Sequence, residues 1–210
     1  MDTTERFVPS PQSLLGQSPS SSLIQQYLHE LAKLASVSLS TPEVKVYTDA
    51  LYINHYPLGL SFMFVARDGS KKIKESDVAG DRLALDSVDI FNMVASDATS
   101  ASNSSKAYTS HPVSTLMLSL KPSNNGKPRP NELELTPSSI GKDIVSCIGE
   151  PDRKGGGAGP SSGSIGIWCE WTRDGIMIEF GGSDARGPQA WERGKDAKWK
   201  VLTIFRSPVA

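Results

Sequence analysis

The sequence predicts an α+β fold: a tandem repeat of a helix followed by three antiparallel strands, forming one curved antiparallel sheet with helices on one face. Three observations predict it. Gly59 and Gly175 each open a run with apolar residues at alternate positions, Leu60-Ser61-Phe62-Met63-Phe64 and Ile176-Met177-Ile178-Glu179-Phe180. Each run is followed, at nearly the same distance, by a strand ending Ile-Phe: Ile90-Phe91 and Ile204-Phe205. Each unit also has a helical stretch ahead of it. An internal repeat outranks local signals in deciding architecture.

The units follow in order along the chain. Residues 1–21 read as a Ser/Pro-rich tail, because Pro9, Pro11 and Pro19 interrupt any helix and few apolar residues are available to bury. Ser22 stands at an N-cap position. Leu23, Ile24, Tyr27, Leu28, Leu31, Leu34 and Ala35 then recur at helical spacing, which predicts a first helix from Ser22 to Val37. Thr41-Pro42 ends it. Val44 and Val46 suggest a short strand, and Leu51–His55 with Leu58–Ala66 form a hairpin turned at Tyr56-Pro57. Leu83–Met93 closes the first repeat, which spans 22–94. Residues 95–112 are low in complexity and read as a linker.

The second repeat covers 113–210. Val113–Leu120 alternates as an additional strand, and Pro122–Pro130 is a polar insertion. Thr136 as N-cap, Pro137 at the first helical position and Gly149 as the stop predict a second helix with Ile140, Ile144, Val145 and Ile148 on its buried stripe. Asp174-Gly175 signals a two-residue hairpin turn. In that register Glu170 faces Glu179. Ile167, Cys169, Trp171, Ile176, Ile178 and Phe180 share the core face, and Trp199, Val201, Thr203 and Phe205 join them from the last strand.

Composition excludes several function classes. The 210 residues carry a net charge of −1, which gives no electrostatic footing for nucleic acid or an anionic membrane. No run of about 18 apolar residues predicts a transmembrane segment. The amino-terminal residues lack the apolar core of a signal peptide, and two cysteines do not make a disulfide framework. A cytoplasmic protein with reduced thiols is the expectation.

The chemistry-bearing candidates are sparse. Arg153-Lys154 followed by Gly155-Gly156-Gly157 looks like a phosphate loop in composition. Its order is reversed, because the glycines leave a helix and enter a strand, so it reads as a loop with a basic pair. His29, His55 and His111 are scattered, and the cysteines Cys147 and Cys169 read as packing thiols. No metal or cofactor is expected. Glu170 opposite Glu179 would repel, raising one pKa toward general-acid use, but Lys198, Lys200 and Arg206 on the same face favour an ion ladder. The opposite, open face carries Trp168, Met177, Leu202 and Ile204 among charges, and such mixtures serve recognition.

Two families resemble parts of this pattern. The run of helix, Gly149-x-Pro151, Gly-rich gap and Trp-containing hairpin turned at Gly175 looks like one module of the tandem fold of the β-lactamase-inhibitor protein and the small outer-membrane assembly lipoproteins. That resemblance implies a non-catalytic binding scaffold. Tyr52-x-Asn54-x-Tyr56-x-x-Gly59-x-x-x-x-Phe64, with the later hairpin Trp171–Phe180, is similar to a segment of the eukaryotic phagophore-associated proteins linked to autophagy. The chain is shorter, and Val65 stands where that family has an acidic residue. Members act with a β-propeller partner at the autophagosome precursor, so this resemblance implies a binding role.

The functional expectation is a non-enzymatic intracellular protein-binding scaffold. Its site is Trp168, Glu170, Met177, Glu179, Lys200, Leu202, Ile204 and Arg206, on an open face that binds a partner protein; the competing reading is that the tail, the 95–112 segment or a second copy of the chain covers this face. Two alternatives stand beside it: a small-molecule or lipid pocket between helices and sheet, and an enzyme using the Glu170/Glu179 pair.

Overall fold

The computed structural model describes residues 8–93, 107–123, 128–157 and 166–207. It is an α+β structure dominated by an antiparallel sheet of eight strands. In chain order the elements are α1 (Ser22–Ala35), β1 (Glu43–Val46), β2 (Leu51–His55), β3 (Leu60–Ala66), β4 (Leu83–Phe91), β5 (Leu116–Ser119), β6 (Glu132–Leu135), α2 (Gly141–Ile148), β7 (Arg153–Gly155), β8 (Trp168–Trp171), β9 (Ile176–Phe180), α3 (Ala190–Arg193) and β10 (Trp199–Phe205). The large sheet runs β1-β2-β3-β4-β10-β9-β8-β7, and β5 pairs with β6 in a separate ribbon. Four strands, not three, follow each of the two longer helices into the sheet. The short edge strands β1 and β7 make the difference.

Helix α1 forms where the periodicity places it. The Ser21 hydroxyl, one residue ahead of the expected cap, accepts the Ile24 N–H at 3.3 Å, and Ser36 ends the helix in the left-handed region at φ 54°. Its buried residues Ile24, Tyr27, Leu28 and Leu31 pack over the sheet face that carries Ile53, Phe62 and Phe64. Ile144 and Ile148 of α2 join the same core, which continues through Val88, Ile90, Ile176 and Ile178.

The strand β10 corrects the expected assignment of faces. Trp199 pairs with Phe180, but Val201 pairs with Glu179, so Lys200 is the extra residue of a β-bulge. Beyond it the alternation inverts. Leu202 opposes Ile178 and Ile90, Ile204 opposes Ile176 and Val88, and both are fully buried. They belong to the core, not to the open face. Val201, Thr203 and Phe205 take the open face and are half-buried.

The β8–β9 hairpin is also corrected. Trp171 pairs with Ile176 across the four residues Thr172–Gly175, so the turn is longer than the expected two-residue one. A slip of two residues preserves each residue's face but changes its partner. Glu170 opposes Met177, and Glu179 opposes Trp168.

Three further segments differ from expectation for tertiary reasons. Residues 136–140 are not helical. The Thr136 carbonyl accepts the Trp199 Nε1–H at 2.7 Å, the Pro137 carbonyl accepts Asn92 Nδ2–H at 3.0 Å, and Ile140 bridges to Lys198, so α2 starts at Gly141. Residues 8–21, expected as a tail, lie against the sheet: Leu14 is fully buried, and Gly16 and Gln17 exchange backbone hydrogen bonds with Leu85. Arg153–Gly155, read as a loop, is the edge strand β7. Of the expected linker, residues 95–106 lie outside the described residues. Residues 107–111 cross the end of β3 and β4, with the Thr109 N–H donating to Tyr56 O and the His111 N–H to Phe91 O.

Candidate functional site

The face of the sheet away from the helices is built by strand alternation. From one edge it carries Glu43 and Lys45 of β1, Tyr52 and Asn54 of β2, Ser61 and Met63 of β3, and Asp89 and Phe91 of β4. It continues with Val201, Thr203 and Phe205 of β10, Met177 and Glu179 of β9, and Trp168 and Glu170 of β8. The register makes the two halves continuous, since Phe91 opposes Val201 and Asp89 opposes Thr203. The Thr203 hydroxyl donates to Asp89 Oδ1 at 2.7 Å across that junction.

The second half keeps most of the expected residues together. Trp168, Met177 and Glu179 are neighbours and half-buried. The Trp168 indole lies across Gly155, where an added Cβ would meet the ring at 2.7 Å. Glu170 is nearly buried. It accepts from the Thr172 hydroxyl at 2.7 Å and pairs with Arg153 at 3.2 Å, so it is held in a structural ion pair. Lys200 sits in the bulge and Arg206 is exposed beyond the end of β10. Leu202 and Ile204 leave the set for the core. Glu170 and Glu179 share the face but stand diagonally rather than directly opposite, and Glu170 is engaged by Arg153 and Thr172.

The first half holds a feature that the expected site omitted. Four of the five tyrosines, Tyr47, Tyr52, Tyr56 and Tyr108, surround an open trough of about 650 Å³. Asn54, Ser61 and Asp89 also line it. The Tyr47 and Tyr52 rings meet edge to face at 5.6 Å, and Tyr56 lies 4.6 Å from Tyr108. The Tyr108 ring stacks on Phe91 at 3.7 Å. Behind the rings, Asn54 Oδ1 accepts from both the Ser61 and Tyr108 hydroxyls at 2.8 Å. Glu43 Oε2 accepts from the Tyr56 hydroxyl and from Asn54 Nδ2–H, and Lys45 lies 3.2 Å from it.

The electrostatics of the trough are set by burial and by carboxylates. Burial pushes the Tyr56 phenol up to about 12, and the hydrogen bond to Glu43 and its charge push the same way. Tyr52 is raised first by burial, then by the negative charges of Asp89 and Asp49. Burial also raises the Asp89 carboxyl, and the Thr203 hydroxyl opposes that rise. These rises, with that of Tyr108 by burial, keep the Tyr52, Tyr56 and Tyr108 phenols neutral at physiological pH. The sequence signal was present in Tyr52-x-Asn54-x-Tyr56, whose alternate spacing puts Tyr52 and Asn54 on one face. What could not be read was the arrival of Tyr108 from 52 residues further on.

The remaining candidates separate. His55 and His111 are buried on the helix side, each pushed down to about 4 by burial. Cys147 is half-exposed on α2, whereas Cys169 is buried under it with its thiol pushed up to about 11. Among the described residues no three His, Cys, Asp or Glu side chains converge as metal ligands would. No helix among them is long and apolar enough to cross a membrane. Comparison with protein-family models, curated proteins and solved structures finds no match to this chain.

Proposed function

We propose that the protein is a non-catalytic protein-binding scaffold, built from two copies of a helix-and-sheet unit, that presents its open sheet face to a partner protein. The observation that carries this reading is the continuity of half-exposed apolar side chains across that face: Met63, Phe91, Val201, Phe205, Met177 and Trp168. Such a surface, rimmed by Glu179, Lys200 and Arg153, suits a partner that brings apolar anchors.

The repeat has backbone support. The Phe91 N–H donates to Gly59 O at 3.0 Å, and the Phe205 N–H donates to Gly175 O at 2.9 Å. Both glycines have φ near +60° and let a passing carbonyl approach where a Cβ would stand, Thr109 O at one and Phe205 O at the other. Both closing strands contain a bulge, at Asp86 in β4 and at Lys200 in β10. Strand order outward from the β4–β10 junction is also the same on each side.

The test is a binding comparison. Proteins retained from cell lysate are purified, and their affinities are remeasured for wild type, Met177→Glu, Phe205→Glu and the control Met117→Glu, which lies on the outer face of the β5–β6 ribbon. About tenfold weaker binding by the two open-face variants and not by the control supports the reading. Unchanged affinity in both open-face variants overturns it.

A second reading has one observation in its favour. Between α2 and the sheet lies a cavity of about 340 Å³ whose walls include Val145, Ile167, Cys169, Phe180 and Trp191. Its size is within the range of small-molecule sites. Saturable binding of an apolar fluorophore, abolished by Cys169→Phe, would favour this reading over the scaffold.

A further inference from the structure

We propose that the tyrosine trough is a binding site for an organic cation, and that the cation is the side chain of an arginine or lysine on the polypeptide laid over the open face. The inference rests on the scaffold reading and adds to it the chemistry of one contact.

The walls are aromatic and the field is negative. Tyr47 is more than half exposed and meets Tyr52 edge to face, so the two rings form a corner open to solvent. Tyr108 is held opposite by its stack on Phe91 and its hydrogen bond to Asn54, which fixes its ring before any ligand arrives. Two carboxylates face the space between: Asp89 on the floor and Asp49 at the rim. The third, Glu43, is balanced by Lys45 at 3.2 Å. The trough therefore keeps an excess of negative charge beside the phenol rings. A guanidinium or ammonium group is drawn to both, through the ring quadrupole and through the carboxylates. An anion meets the same carboxylates as repulsion. A neutral apolar group would bury Asp89 further with no compensating partner.

Asp89 also explains why the ligand should be charged. Half-buried beside Thr203, it sits where its ionised form is disfavoured. A cation in the trough offsets that cost through its opposite charge, which a neutral or anionic group does not. Tyr56 and Tyr108 lose little freedom on binding, since ring and hydrogen-bond contacts already fix them.

The experiment is an amide NMR titration of the full chain with the capped tripeptide Ala-Arg-Ala and its citrulline counterpart, which has the same shape without the charge. The expected result is a set of saturable shifts at Tyr52, Asn54, Ser61 and Asp89 with the arginine peptide. The citrulline peptide should bind about tenfold more weakly. Asp89→Asn and the exposed Tyr47→Ala should each weaken the arginine peptide about fivefold or more while leaving the spectrum folded. Equal binding of the two peptides, no saturable shift with either, or full affinity in both folded variants overturns the site. Ethylguanidinium binding as tightly as the tripeptide overturns the polypeptide source. Failure here is distinguishable from failure of the scaffold reading, which is scored at Met177 and Phe205 with the partner itself.

Discussion

Arg129 grips Asp174 with both arms of its guanidinium, at 2.6 and 3.1 Å, and the Asp174 side chain is almost fully buried. The Lys121 N–H donates to the same carboxylate at 2.8 Å, and Arg129 also donates to the carbonyl of Ile148 at 3.3 Å. One ion pair thus ties the β8–β9 turn to the segment after β5 and to the end of α2. Removing one partner of a buried pair leaves the other charge unmatched. Asp174→Ala should therefore destabilise the fold by about 3–5 kcal/mol, read as a lower denaturation midpoint with an unchanged slope. A loss under about 1 kcal/mol would show that the pair does not hold the turn.

The bulge at Lys200 makes a sharp prediction about neighbouring residues. Leu202 and Ile204 are fully buried, while Val201 is half-exposed. Leu202→Ala and Ile204→Ala should each cost about 2–5 kcal/mol, and Val201→Ala about 1 kcal/mol or less, in urea unfolding. The reverse order would place the face inversion elsewhere.

Gly59 should prove intolerant for a local reason. Its φ is +56°, and an added Cβ would stand 2.3 Å from Thr109 O and 2.8 Å from His111 N. Gly59→Ala should push residues 107–111 off the strand ends. Hydrogen exchange at the Thr109 and His111 amides should accelerate by about tenfold or more, while that of β9 stays slow.

Stability should fall as the solution is acidified from neutrality. His111 donates from Nδ1 to the Leu58 carbonyl at 3.0 Å and lies beside the Tyr27 hydroxyl, and His55 packs on Phe62. Burial holds both imidazoles down to about 4, against 6.5 for a free histidine. Between those values the unfolded chain takes up protons that the folded chain refuses, so stability rises with pH across that window and is lost as pH falls through it. Each histidine contributes up to about 3 kcal/mol of this dependence. Asp89 acts in the opposite sense, because its raised pKa costs stability as pH rises. His111→Gln should flatten the acid slope between about pH 4 and 6.5, measured by thermal melts across that range. An unchanged slope would show that His111 takes its proton without leaving the fold.

The α+β class and the antiparallel sheet were legible because local periodicity controls them. Ile24, Tyr27, Leu28 and Leu31 can share a face only in a helix, and Phe62 and Phe64 can share one with Leu60 only in a strand. Trp168, Met177 and Glu179 were placed together for the same reason. What the tertiary structure decided came from partners distant in sequence. Asp174, gripped by Arg129 from 45 residues away, sits in a four-residue turn, and in that register Glu170 and Glu179 are not directly opposed. Trp199 and Asn92 claimed the carbonyls of Thr136 and Pro137 and delayed the start of α2. The bulge at Lys200 moved Leu202 and Ile204 into the core, because β10 must match the buried residues of both β4 and β9. Tyr108 completed the trough from a segment with no periodicity of its own. Periodicity constrains a residue against its near neighbours in the chain. A bulge, a buried ion pair or an imported ring is fixed only when strands from both halves of the sheet lie side by side.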